Sequence, residues 1–96
     1  MIRHICMFKL KEENRKANIA EFVDRAQVLK ELEMVKRFEV VTNSEDAPES
    51  NYEVSLIIDF ESWEDLDAYQ TAPTHIEFAK FVGLIREDRA CIDYIL

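Results

Sequence analysis

A phenol and an imidazole stand six positions apart in the stretch 69–78, which reads Tyr-Gln-Thr-Ala-Pro-Thr-His-Ile-Glu-Phe. Tyr69 and His75 together could move a proton. A neutral imidazole accepts one at physiological pH, and a phenol can donate to the oxygen on which charge then develops. Local signals place His75 well for that work. Pro73 biases Ala72 away from helical geometry, which ends one helix by about Thr71. Thr74, with Glu77 three residues on, has the pattern of a capping box and predicts the start of a second helix. His75 would then lie in a first helical turn, where the positive end of the backbone dipole disfavours a protonated ring. A structural reading competes, because a Tyr and a His beside a helix junction commonly just pack and satisfy hydrogen bonds.

The helix carrying Tyr69 has its own start signal in Ser62 followed by Asp65. Trp63, Leu66 and Tyr69 follow at a spacing of three and are expected on one face, with Trp63 as a core anchor. Further along, Ile76, Ala79 and Val82 keep helical spacing, and Gly83 is a candidate for the helix end. Upstream, residues 2–10 alternate, with Ile2, His4, Cys6, Phe8 and Leu10 on one face and Arg3, Ile5, Met7 and Lys9 on the other. Ile19, Phe22, Val23, Ala26 and Leu29 then mark an amphipathic helix. Residues 35–41 read as a polar edge strand and 42–51 as an acidic, solvated hairpin connection. Tyr52, Val54, Leu56, Ile58 and Phe60 form the clearest strand face, a central one, and a last strand is expected at about residues 89–96.

The resulting order, β-α-β-β-α-β with the second helix broken, predicts an α+β protein with a ferredoxin-like antiparallel sheet and helices on one face. At 96 residues the chain is expected to be one domain, 1–96, burying only about 60–68% of its unfolded surface. Several strands are apolar on both faces, so the uncovered face should meet a second subunit. Ile5, Met7, Ile57, Ile92 and Tyr94 are the candidates for that homodimer interface.

The formal net charge is −8 and no stretch is strongly basic, which argues against nucleic acid and anionic membranes as partners. No apolar run is long enough to span a bilayer, and the first residues lack the shape of a signal peptide. Cys6 and Cys91 show no metal-binding or Cys-x-x-Cys spacing, so a reducing cytoplasm is expected. They should lie on neighbouring strands as buried free thiols rather than as a redox pair.

The opening at 2–11, Phe60-Glu61-Ser62 with Leu66, the stretch 69–78 and the closing Ile92-Asp93-Tyr94 together resemble the stress-responsive A/B barrel (Dabb) family across essentially the whole chain. The resemblance implies a dimeric α/β barrel built from two ferredoxin-like sheets. Most such proteins have no assigned reaction, and one branch, similar to olivetolic acid cyclase, closes polyketide chains by aldol condensation. Tyr69 and His75 match the Tyr and second His of that branch's Tyr-x-x-His-Pro-x-His stretch, whereas Ala72 replaces its first His. The resemblance also implies His4 as a pocket residue, with Cys6, Phe8, Phe22, Ala26, Leu56, Phe78 and Cys91 as ligand-binding positions. Ala26 stands where the branch has an aromatic residue, which implies a differently shaped pocket.

Three functions follow as expectations. One is a binder of a small apolar or carbonyl-containing molecule held between sheet and helices. Another is a non-enzymatic oligomeric stress-response or accessory protein. The third is a cyclase needing neither metal nor cofactor, in which His75 takes a proton from a ketide methylene. Tyr69 would hold that imidazole or donate to the enolate, and His4 would orient either group. An oxygenase of the antibiotic-biosynthesis monooxygenase type ranks lower, as no haem-attachment motif is present.

Overall fold

Alternating side chains need a sheet about which to alternate, and the first such run forms strand β1 (Ile2–Leu10). The computed structural model describes residues 1–96. After β1 come helix α1 (Arg15–Ala26), a 3-10 turn (Gln27–Glu31), and strands β2 (Arg37–Thr42) and β3 (Val54–Phe60). Helices α2 (Trp63–Thr71) and α3 (Pro73–Ile85) and strand β4 (Arg86–Ile95) complete the chain. The strands are all antiparallel in the order β2-β3-β1-β4, the expected ferredoxin-like sheet with β1 and β3 at its centre.

Register assigns the faces. His4 stands opposite Ile58 and Asp93, Cys6 opposite Leu56 and Cys91, and Phe8 opposite Val54 and Arg89. With a side-chain period of two, all of these share the face covered by the helices. Ile2, His4, Cys6, Phe8 and Leu10 are accordingly buried, while Met7 is exposed. Phe22 of α1 is the keystone of the core, its ring 5.2 Å from both the Phe8 and Phe78 rings.

Several boundaries differ from the sequence reading. Helix α3 begins at Pro73, with Ala72 in extended geometry as its cap and no side-chain cap bond, so Thr74 does not start it. Proline suits the first helical position because its missing N–H would have no partner there. Gly83 lies inside α3 rather than ending it. Ser62 does cap α2, its hydroxyl accepting from the Asp65 backbone N–H at 3.1 Å. Trp63, however, is 49% exposed and anchors nothing. Each three-residue step falls about 60° short of a full turn, so Trp63 sits about 120° round the helix from Tyr69. Strand β4 starts at Arg86 because charged residues are tolerated on an exposed edge strand, where they read as a linker.

Two buried carboxylates tie the sheet. Arg3 donates from Nε and Nη2 to the two Asp59 oxygens at 2.8 and 2.9 Å. Glu53 accepts from the Leu10 backbone N–H at 2.7 Å and from Lys9 Nζ at 2.9 Å. The Arg3 hydrogen bonds hold the Asp59 carboxyl below its usual range. For Glu53, burial opposes ionisation but is outweighed by the Leu10 and Lys9 bonds, so it too lies below its usual range. A carboxyl depressed in the folded state stabilises it fully above the unfolded value of about 4, and that stabilisation is lost as pH falls through the folded value. Unfolding free energy should therefore drop on acidification below about pH 4. Asp59→Asn should flatten that drop in urea titrations at stepped pH, and an unchanged slope would assign acid sensitivity elsewhere.

Candidate functional site

Between α2–α3 and the inner sheet face lies a cavity of about 220 Å³. The break at Ala72–Pro73 lets the chain turn so that Tyr69, late in α2, and His75, early in α3, both line it. Their ring centroids are 4.6 Å apart, and the His4 ring lies 6.3 Å from Tyr69. Cys6, Phe8, Leu56 and Phe78 also line the cavity. Phe22 and Ala26 do not: both are wholly buried in the core, because α1 packs on the sheet beside the cavity rather than around it.

The His75 ring has a defined tautomer. Its Nδ1 is 3.0 Å from the Gln70 backbone oxygen. A carbonyl can only accept, so Nδ1 carries the proton and Nε2 is left as the base. Burial pushes the imidazole below its ordinary value; the Gln70 carbonyl partly opposes this, and His4 and Arg89 push it further down. His75 is therefore neutral near pH 7.

Burial raises the Tyr69 phenol well above its ordinary value, against a smaller opposing pull from Arg89, so Tyr69 is a donor and not a base. Its hydroxyl bonds to no protein group. Since no buried side-chain oxygen lacks a partner, that hydroxyl opens on the cavity. The His75 imidazole is held by the Gln70 carbonyl, with no hydrogen bond to Tyr69.

His4 is 5% exposed and bonded through Nδ1 to the Asp93 carboxylate, with Nε2 3.3 Å from Cys6 Sγ. Cys6 and Cys91, expected as free thiols, form a disulfide. Directly opposed positions on antiparallel strands bring their Cα atoms to 4.2 Å, close enough for their sulfurs to join. Cys91 lies on the exposed edge strand and is not part of the cavity wall. His4 Nε2 is near both sulfurs, but their bond to each other leaves no thiolate pair free for a metal.

Sequence reasoning missed the cations. Arg86 and Arg89 line the cavity, and Arg89 Nη2 donates to Cys6 Sγ at 3.6 Å. It also missed Asp93. The signal was available for two of these, since Arg89 and Asp93 share alternation parity with Cys91, but the edge strand's charges hid it. In a chain of net charge −8, this cavity carries two arginines and no carboxylate in its wall.

The fold and this site define a small ferredoxin-like α+β protein with a histidine-lined cavity under its helices. The chain belongs to the Dabb family, the stress responsive A/B barrel domain, whose model matches residues 2–96. A dimeric protein of unknown function and ferredoxin-like fold from Bacteroides fragilis is 25% identical, with a TM-score of 0.88 over 99% of this chain and 95% of that one. A Dabb family protein from Mesorhizobium loti is also 25% identical, with a TM-score of 0.81 over 99% and 95%. Hydroxynitrile lyase from Passiflora edulis shares the fold at 19% identity, with a TM-score of 0.84 over 99% and 92%. No curated protein matches the chain. No helix is long and apolar enough to cross a membrane.

Proposed function

We propose that the cavity binds a small carbonyl-containing molecule and that His75 exchanges a proton at the carbon beside its carbonyl. The observation that carries this is the His75 tautomer, with Nδ1 tied to the Gln70 backbone and Nε2 left as a base in a residue that lines the cavity. The Tyr69 hydroxyl would donate to the carbonyl oxygen as it gains charge, and the arginines would favour an enolate or carboxylate. The lining of Phe8, Leu56, Phe78 and Val82 suits an apolar body. His75→Ala should leave the thermal midpoint within a few degrees, since the ring sits at a helix start. It should also slow deuterium uptake at the methylene of a bound 1,3-diketone by about 100-fold or more. Equal uptake by wild type and variant would end the reading, as would a large loss of stability in the variant.

The same reading makes the protein a homodimer through the bare face of its sheet, giving the α/β barrel. Met7, Ile92 and Tyr94 are exposed there beside half-buried Ile5 and Ile57, a patch that a soluble monomer seldom tolerates. The neighbour from Bacteroides fragilis is described as dimeric, which supports it. Light scattering at micromolar concentration should give the mass of two chains for wild type and of one for Ile57→Lys. A wild-type monomer would remove the barrel from the argument.

A further inference from the structure

Cys6, His4 and Asp93 form a line that the carbonyl reading does not use. The Asp93 carboxylate holds His4 Nδ1, the opposite ring nitrogen is 3.3 Å from Cys6 Sγ, and Arg89 donates to the same sulfur from 3.6 Å. A nucleophile within reach of a base that a third group orients is the arrangement by which proteins activate thiols. A guanidinium beside the sulfur further favours thiolate. The two sulfurs also sit in different settings. Cys6 is buried and lines the cavity, whereas Cys91 is exposed on the edge strand.

We propose that Cys6 and Cys91 are a cycling dithiol–disulfide pair that reduces organic hydroperoxides, with Cys6 as the attacking thiol and Cys91 as the resolving one. The cycle starts from the disulfide. The first thiol of a dithiol reductant gives its proton to His4 and attacks the accessible Cys91 sulfur as the thiolate; the S–S bond breaks and Cys6 leaves as the thiolate, stabilised by Arg89 and the imidazolium so formed. The reductant's second thiol then displaces Cys91 as a free thiol and becomes a disulfide itself.

A hydroperoxide in the cavity is attacked at its terminal oxygen by the Cys6 thiolate. An S–O bond forms and the O–O bond breaks. The departing alkoxide takes a proton from His4 and leaves as an alcohol. Cys6 is now a sulfenic acid, oxidised by two electrons. The Cys91 thiol attacks that sulfur, the disulfide re-forms and water is released. In sum, one hydroperoxide and one dithiol give one alcohol, one water and one disulfide.

The apolar walls fit an organic hydroperoxide, and exposure of Cys91 gives the reductant its point of attack.

The test uses the full-length, pre-reduced protein and cumene hydroperoxide. One equivalent should consume both thiols and return the Cys6–Cys91 bond. The rate should be at least about 100-fold above that of free cysteine. Cys91→Ser should instead accumulate a sulfenic acid on Cys6, trapped by dimedone and located by mass spectrometry. His4→Ala should slow the reaction at least about 10-fold. Asp93 acts through His4 as a positioning residue, so Asp93→Ala should slow it as well, and Asp93→Glu should restore it at unchanged thermal stability. A rate no faster than free cysteine, or dimedone labelling on Cys91 rather than Cys6 in wild type, would overturn the proposal. Because Cys91 lies outside the cavity wall, Cys91→Ser should keep wild-type deuterium exchange at a 1,3-diketone while losing the disulfide product, which separates this activity from proton exchange.

Discussion

Phe22→Ala should lower the unfolding free energy by about 3–5 kcal/mol, the cost of removing a wholly buried aromatic ring. The ring lies between Phe8 and Phe78 at 5.2 Å from each, so its removal strips contacts from strand β1 and helix α3 together. Small domains have only about 5–15 kcal/mol in hand, so the loss would be roughly a fifth or more of the total. The space left would also join the cavity at its Phe8 and Phe78 wall. Urea unfolding of wild type and variant measures the difference. A loss below about 1 kcal/mol would mean that α1 collapses into the gap, and that the core is less tightly keyed than its geometry indicates.

The second large effect is redox-dependent stability. The Cys6–Cys91 bond joins positions 85 apart in sequence, and in the chain-entropy model a loop of that length restricts the unfolded state by about 4–5 kcal/mol. Adding a dithiol reductant should therefore shift the urea midpoint strongly downward. Cys91→Ser should sit at the reduced value with or without reductant. No shift in wild type would show that the two sulfurs are not joined in solution. The reduced protein should stay folded, since β1 and β4 remain paired from Ile2 with Ile95 to Leu10 with Arg86.

Strand alternation and helical spacing made the fold legible, because each reports burial on one face and the chain has few competing signals. The broken second helix was equally plain from Pro73. Where the reading failed, the missing information was three-dimensional. Trp63 looked like part of an apolar stripe, but stepping by three drifts round the helix, so only Leu66 and Tyr69 reach the core. Of the cavity trio, Tyr69 and His75 were nameable from the chain and His4 from the family resemblance, whereas the electrostatics around them were not. Arg89 and Asp93 act on Cys6 and His4 from the opposite end of the sequence, and only the β1–β4 register brings them there. The disulfide was missed for a different reason. Neighbouring strands were foreseen, but opposition of positions 6 and 91 depends on a register to the single residue, which composition does not carry.

The sheet order has a consequence for how the chain is made. Strand β1 is synthesised first, yet its only partners are β3 and β4, which follow some 50 and 85 positions later. At about 5–20 residues per second, β1 waits roughly 4–17 s for its last partner to be translated, with apolar side chains on both faces and unpaired on both edges. The β2–β3 hairpin is the only neighbouring pair that can close without it. Newborn chains should thus depend on a chaperone, or on fast elongation, more than the finished protein's stability suggests. Slowing translation after position 60 should raise the aggregated fraction more than slowing it before.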